Sequence, residues 1–228
     1  MGTISKQGLR GEDLVALAKE APAEGLGLEG LEAVTPEQIQ QLLEAYAPAL
    51  RSLRLSPKEY GQLDLTAVSW NRLSKLEGVS LQSCEVSAEL LQHPTLERIS
   101  LERCSVSQAD EVVLGPKVQT LDIIDSNPRV GRLKIEGNKF WFFTLSQDED
   151  YSEASFDVIE FRSPTLTRVR HKAEYPTELI FAGEFPALKS KNVQIEAGNY
   201  SCPRVDVSGV TPPSPLLTKR FPKKARNR

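Results

Sequence analysis

Histidine, the side chain that most often acts as a catalytic base, occurs only twice in this 228-residue sequence. Nucleophilic catalysis requires a serine or cysteine, a nearby base and a group that orients the base. Only two histidines could serve as the base. His93 lies in a Gln-His-Pro turn before a strand, and His171 lies at a repeat position that should face inward. We therefore expect structural roles for both histidines and do not expect the chain to be an enzyme.

The sequence also lacks the motifs that are typical of metal-binding and phosphate-binding sites. The three cysteines, Cys84, Cys104 and Cys202, contain no Cys-x-x-Cys pair, which argues against a zinc site or a disulfide framework. Neither a GxGxxG nor a GK[ST] string occurs. The acidic run over residues 148–153 lacks the ligand spacing and central glycine of a calcium-binding loop, so a solvated turn is expected. We expect no cofactor, no metal and no small-molecule substrate.

An internal repeat organises the chain instead. Its units share an apolar residue at offsets 0, 3 and 5 and a small or polar residue at offset 8. A proline stands two residues before several units, where it favours an extended chain and marks the start of a strand. These prolines are Pro48, Pro94, Pro116 and Pro164. The clear units start at Leu50, Leu76, Leu96 and Val118, and the weaker ones at Ala23, Phe142, Leu166 and Ser190.

At these positions the chain resembles the leucine-rich-repeat superfamily, whose pattern is Leu-x-x-Leu-x-Leu-x-x-Asn/Cys at a period of about 20 to 29 residues. The match is strong over residues 50–126 and weaker over 20–49 and 127–200. The resemblance implies an α/β solenoid in which each unit adds one strand to a parallel concave sheet. It also implies that Cys84, Cys104 and Asn138 bond backbone groups in turns.

The segments between the units change character along the chain. Residues 35–38, Thr-Pro-Glu-Gln, form a helix start, and apolar residues follow at helical spacing at Ile39, Leu42, Leu43 and Tyr46. A capping helix is expected over residues 13–19, and shorter helices over 87–92 and 107–113. Beyond residue 126, apolar triplets in the segments that start at Val130, Phe156 and Cys202 predict second strands instead.

These segments predict helices on the convex side in the N-terminal half, and strands or loops there in the C-terminal half. The alternative is an antiparallel sandwich or meander from residue 128 onward.

Side chains at offsets 2, 4 and 6 should point outward on the concave sheet, because side chains alternate along a strand. Such a sheet is a large preformed surface that loses little entropy when a partner binds. Arginine is favoured at interfaces because it pairs with carboxylates through two hydrogen bonds. We therefore expect another protein to bind on the concave sheet. Any single residue expected to contact it could instead be an ordinary solvated strand residue. The expected contact residues are Arg98, Glu102, Asp122, Arg168 and Arg170.

Residues 140–143, Phe-Trp-Phe-Phe, form the densest aromatic cluster of the sequence. Strand alternation would bury Phe140 with Phe142, or Trp141 with Phe143, but not all four side chains on one side. An exposed aromatic pair would be a binding hot spot. We expect a second apolar layer to cover it.

Charge divides the chain into a body and a tail. Residues 212–228 carry six Lys or Arg and no acid, which leaves a net charge of −9 on residues 1–211. We expect residues 1–211 to form a single solenoid and residues 212–228 to be a basic, disordered tail. The tail either contacts an acidic partner, nucleic acid or an anionic membrane surface, or only improves solubility. No apolar run is long enough to span a bilayer, so a cytoplasmic adaptor is expected, with a nuclear location as the alternative.

Overall fold

The computed structural model describes residues 2–147, 156–173, 177–197 and 204–211. Short 3-10 helices lie at Trp70–Arg72, Ala88–Leu90 and Ser190–Asn192. In chain order the other elements are β1 (Thr3–Gln7), α1 (Gly11–Leu17), β2 (Gly25–Leu31), α2 (Pro36–Tyr46), β3 (Ser52–Pro57), β4 (Leu63–Leu65), β5 (Gly78–Gln82), β6 (Cys84–Val86), β7 (Arg98–Glu102), β8 (Ser105–Val113), β9 (Thr120–Ile124), β10 (Asn127–Ile135), β11 (Phe142–Ser146), β12 (Val158–Phe161), β13 (Arg168–Ala173), β14 (Glu178–Gly183), β15 (Val193–Ala197) and β16 (Arg204–Val210).

The strands form two parallel sheets. The nine-stranded sheet has the order β1-β2-β3-β5-β7-β9-β11-β13-β15, and the seven-stranded sheet has the order β16-β14-β12-β10-β8-β6-β4. From β3 onward the chain therefore alternates between the two sheets. Every described strand pair beyond residue 128 is parallel, so the antiparallel alternative is wrong for that region. The expected α/β class with parallel sheets is confirmed.

Apolar residues of the repeat pack between the two sheets. Val79, Ile99 and Leu121 occupy offset 3 in consecutive units, pair directly across β5, β7 and β9, and are all buried. A single hydrophobic cluster runs from Leu14 to Val210. Because no unit could bury its apolar side alone, the stability of each strand depends on its neighbours in the stack.

Both longer helices precede residue 50 and add their apolar sides to the same core. Helix α2 begins with a capping box in which the Thr35 hydroxyl accepts a bond from the Gln38 amide at 3.4 Å. The Gln38 side chain accepts one from the Thr35 amide at 2.9 Å, so the predicted start of this helix is confirmed. No helix among the described residues is long and apolar enough to cross a membrane.

Three residues in consecutive turns bond backbone groups, and two of them, Cys104 and Ser126, join neighbouring units. The Cys84 thiol donates to the carbonyl of Gln82 at 3.2 Å, and the Cys104 thiol donates to that of Leu81 at 3.4 Å. Ser126, at the same offset in the next unit, accepts from the Cys104 amide at 2.9 Å. A hydrogen bond with Cys104, together with burial, raises the pKa of the Cys84 thiol, which disfavours a nucleophilic thiolate.

We expect Ser126→Ala to lower the unfolding free energy by about 2 kcal/mol, because it leaves the buried Cys104 amide without an acceptor. Ser126→Cys repeats the residue type found in the two preceding turns and should recover most of this loss. Urea denaturation of the three proteins measures the difference. Equal stability of the alanine variant and the unaltered protein would show that the hydroxyl does not join the turns.

Several predicted elements differ from the structure. Residues 107–113, expected to be helical, lie in β8, and the second sheet begins already at β4, within the half expected to carry helices. Strand β1 precedes the first predicted unit and pairs with β2. Asn138 is exposed in a turn between β10 and β11 and does not join the turn residues described above. Extra strands after residue 126 are confirmed as β10, β12 and β16, and β14 is a further one.

Candidate binding surface

The outer face of the nine-stranded sheet is the side that points away from the core, and its side chains form three rows across the strands. Parallel pairing in register brings equal offsets of consecutive units side by side. The row at offset 2 contains Gly78, Arg98, Thr120, Phe142 and Arg168. The row at offset 4 contains Ser80, Ser100, Asp122, Thr144 and Arg170. The row at offset 6 contains Gln82, Glu102, Ile124, Ser146 and Lys172.

All five expected contact residues lie in these rows. Arg168 and Arg170 are exposed on one strand, β13. Asp122 lies two strands away on β9, while Arg98 and Glu102 lie three strands away on β7. With strands about 4.8 Å apart, the backbones of Arg98 and Arg168 are separated by about 14 Å. The five residues therefore mark the two sides of one extended surface and do not converge on a single pocket.

The two acidic residues are already engaged within the sheet. Asp122 is half-buried, and burial raises its pKa, while a hydrogen bond with the Thr144 side chain acts in the opposite direction. Glu102 is half-buried as well and accepts a hydrogen bond from the Gln82 side chain at 3.2 Å. Both carboxyl groups thus help to order the middle of the outer face.

The arginines differ from these acids. In the part of the chain that the structure describes, Arg98, Arg168 and Arg170 form no ion pair with a carboxylate. Arg168 has one other contact, because its guanidinium lies 5.6 Å from the centre of the Phe142 ring. Their charged ends are therefore available to a carboxylate from another molecule.

Several charges on the outside of the seven-stranded sheet are paired with one another. Lys134 pairs with Glu111 at 2.9 Å, and Arg204 pairs with Glu178 at 3.3 Å across neighbouring strands. The Glu160 side chain is only 6% exposed and pairs with two arginines. These arginines are Arg132 and Arg162. These pairs lie within the second sheet, whereas among the described residues Arg98, Arg168 and Arg170 of the first sheet form no ion pair, although Arg54 of the same sheet pairs with Glu29 at 3.2 Å.

Two aromatic side chains extend the surface beside the arginines. Trp141 is 44% exposed, and its ring centre lies 5.6 Å from that of Phe142, which is half-buried in the row at offset 2. The expectation that a second apolar layer covers this cluster is therefore wrong. The expected alternation is wrong too, because the buried pair is Phe140 and Phe143.

The error comes from the register of this unit, which starts at Phe140 and not at Phe142. Phe143 pairs with Leu121, which fixes it at offset 3. The sequence contained the signal: a start at Phe140 places apolar residues at offsets 0, 3 and 5, whereas a start at Phe142 places Gln147 at offset 5. The correct register turns Phe142 outward and reveals the aromatic part of the surface.

The histidines have the contacts of structural residues. His93 is buried, and its Nε2 lies 3.0 Å from the Trp70 carbonyl oxygen. His171 faces the core as expected and is fully buried between Leu145 and Ile195 of the neighbouring strands. Burial lowers the pKa of both rings, and that of His171 falls to about 4. Within the described ranges no three His, Cys, Asp or Glu residues are grouped so that they could hold a metal ion.

The acidic run at 148–153 and the basic segment at 212–228 lie outside the described residues. Comparison of the chain with protein-family models, with curated proteins and with solved structures found no match.

Proposed function

We propose that the chain is a leucine-rich-repeat solenoid that acts as a non-catalytic scaffold or adaptor and binds another protein on its concave face. Stacked units with parallel strands, one continuous core and a row of turn residues at offset 8 support the solenoid. The outer face of the nine-stranded sheet would then be the concave face. In this proposal the adaptor works in the cytoplasm.

One observation carries the binding proposal, namely that Arg98, Arg168 and Arg170 are exposed on the outer face and form no ion pair among the described residues. A solvated surface gains little from holding Arg168 and Arg170 on one side of the same strand without an ion pair, since like charges repel. An interface gains from the same arrangement, because each arginine can form a charge-assisted pair with a partner's carboxylate. Trp141 adds the kind of exposed aromatic side chain that contributes strongly to protein interfaces.

Charge reversal tests this proposal without disturbing the core. Arg98→Glu and Arg170→Glu should each lower the capture of the partner from an extract of the protein's own cells by about tenfold, equivalent to about 1.4 kcal/mol. Their melting temperatures should remain nearly unchanged, because both side chains are exposed and unpaired in the described structure. Quantitative mass spectrometry of the captured proteins measures the change.

Arg129→Glu is the matched control, because Arg129 is an exposed arginine on β10 of the other sheet. A partner that binds this control and the unaltered protein equally well, but not the two outer-face variants, supports the proposal. A partner that all four proteins capture equally well would place the binding site elsewhere on the chain.

A further inference from the structure

We infer that the segment held on the outer face is an extended acidic peptide, with two carboxylate side chains two residues apart and a bulky apolar side chain next to them. This inference rests on the proposed function and deepens it by specifying the chemistry of the partner.

Spacing provides the first argument. Arg168 and Arg170 lie two residues apart on β13 and point to the same side of the sheet. Two residues of a strand cover about 6.6 Å, and acidic residues at positions i and i+2 of an extended peptide have the same separation. Each carboxylate can then accept two parallel hydrogen bonds from one guanidinium.

Preorganisation provides the second argument. The Phe142 ring contacts both the Arg168 guanidinium and the Trp141 ring, with separations of 5.6 Å in each case. The three side chains therefore form a contiguous group in which Arg168 loses less conformational freedom on binding than an isolated arginine would. The exposed Trp141 ring lies beside this group and offers apolar surface to a bulky side chain of the peptide.

Charge complementarity favours a peptide over a nucleic acid. Asp122 and Glu102 lie on the same face as the arginines. A nucleic acid would bring a phosphate with every nucleotide toward these carboxylates. A peptide can place two acids on the arginines and a hydrogen-bond donor or a lysine opposite Asp122. An outer face that carries both arginines and carboxylates therefore matches a peptide whose acidic side chains are separated along its length from a lysine or a hydrogen-bond donor.

Selection from a displayed library of short random peptides tests the inference, with the full chain immobilised. Selected peptides should be enriched in Asp or Glu at positions i and i+2 with an aromatic or large aliphatic residue nearby. Replacing both acids of a selected peptide by their amides should weaken binding roughly a hundredfold, as expected for two charge-assisted bonds. Trp141→Ala should weaken it about tenfold.

The double variant Arg168→Glu, Arg170→Glu should lose the acidic pattern on reselection, and Arg129→Glu should retain it. Failure to enrich any peptide would overturn the inference. Peptides without the acidic pattern whose binding still depends on Arg98 or Trp141 would overturn it but leave the proposed binding face intact. Peptides that bind all outer-face variants equally would contradict the proposed function as well.

A single-stranded oligothymidylate provides the last comparison. Weak displacement of a selected peptide by this probe is expected. If the oligonucleotide displaced the peptide at lower concentrations than the free peptide does, and its direct binding were lost in the double variant, the arginines would serve a nucleic acid and the inference would be overturned.

Discussion

Replacing Ile99 by aspartate should abolish cooperative folding. Ile99 is only 1% exposed and lies between Val79 and Leu121 at the same register of three consecutive strands. An aspartate there would bury a carboxyl group without a partner and remove a large apolar side chain. The combined cost is about 5 kcal/mol or more, comparable with the whole stability of many domains. Circular dichroism during heating should show no cooperative transition.

Ser80→Asp is the control for this change. Ser80 is exposed on the outer face of β5 and pairs with Ser100, the residue directly after Ile99. It receives the same new charge in nearly the same place but on the solvent side of the sheet. Its melting temperature should stay close to that of the unaltered protein. A sharp melt of Ile99→Asp near the same temperature would contradict the stacked core.

The sequence predicted the sheet best where the repeat is most regular. Three apolar residues at offsets 0, 3 and 5 leave one choice of register, since a slip of one residue would turn every apolar side chain outward. Residues 50–126 satisfy this pattern in each unit, and their strands pair as expected. In the unit at residues 140–147, phenylalanines at several successive positions are compatible with two registers, and the predicted start at Phe142 is two residues too late.

Strand β8 shows how a neighbouring strand can determine local structure. Residues 107–113 have weak helical spacing, but they pair with β10 in the second sheet. Gly131 of β10 approaches so closely that a Cβ atom there would lie 2.7 Å from the Asp110 carbonyl oxygen. Both this close approach and the pairing are long-range properties. A window of a few residues could not predict them, because tertiary contacts override weak propensity.

The candidate surface was only partly predictable for a similar reason. Alternation along a strand shows which residues point outward, and this placed Arg98 and Arg170 correctly. Whether an outward arginine has an acidic neighbour depends on which strands are adjacent and on side-chain conformation. The sequence alone could not show that Arg132 is paired with Glu160 while Arg170 has no ion pair among the described residues.

A second large effect, a loss of folding stability at acidic pH, should arise from His171. Its ring is fully buried, and neither ring nitrogen has a hydrogen-bond partner in the described structure. Burial lowers its pKa to about 4, well below the ordinary value of about 6.5 expected in the unfolded chain. Below pH 6.5 the unfolded chain therefore binds a proton that the folded chain does not. This proton stabilises the unfolded state by an amount that grows to about 3 kcal/mol as the pH falls to 4.

His171→Leu removes this linkage, because leucine cannot take up a proton and has a similar size. Urea denaturation from pH 7 to pH 4 should show that the variant gains about 3 kcal/mol relative to the unaltered protein over this range. Acidic residues contribute equally to both proteins, so the difference isolates His171.

His93→Asn is the comparison for the other histidine. Burial lowers the pKa of His93, but the hydrogen bond to the Trp70 carbonyl opposes this effect. Replacing His93 by asparagine should therefore change the pH dependence of the unfolding free energy less than His171→Leu does. Parallel stability curves for the unaltered protein and His171→Leu would mean that His171 becomes protonated in the folded state with a nearly normal pKa. The ring would then have to reach water or an acceptor, and the core between β11 and β15 would be more open than the buried side chains of Leu145 and Val193 indicate.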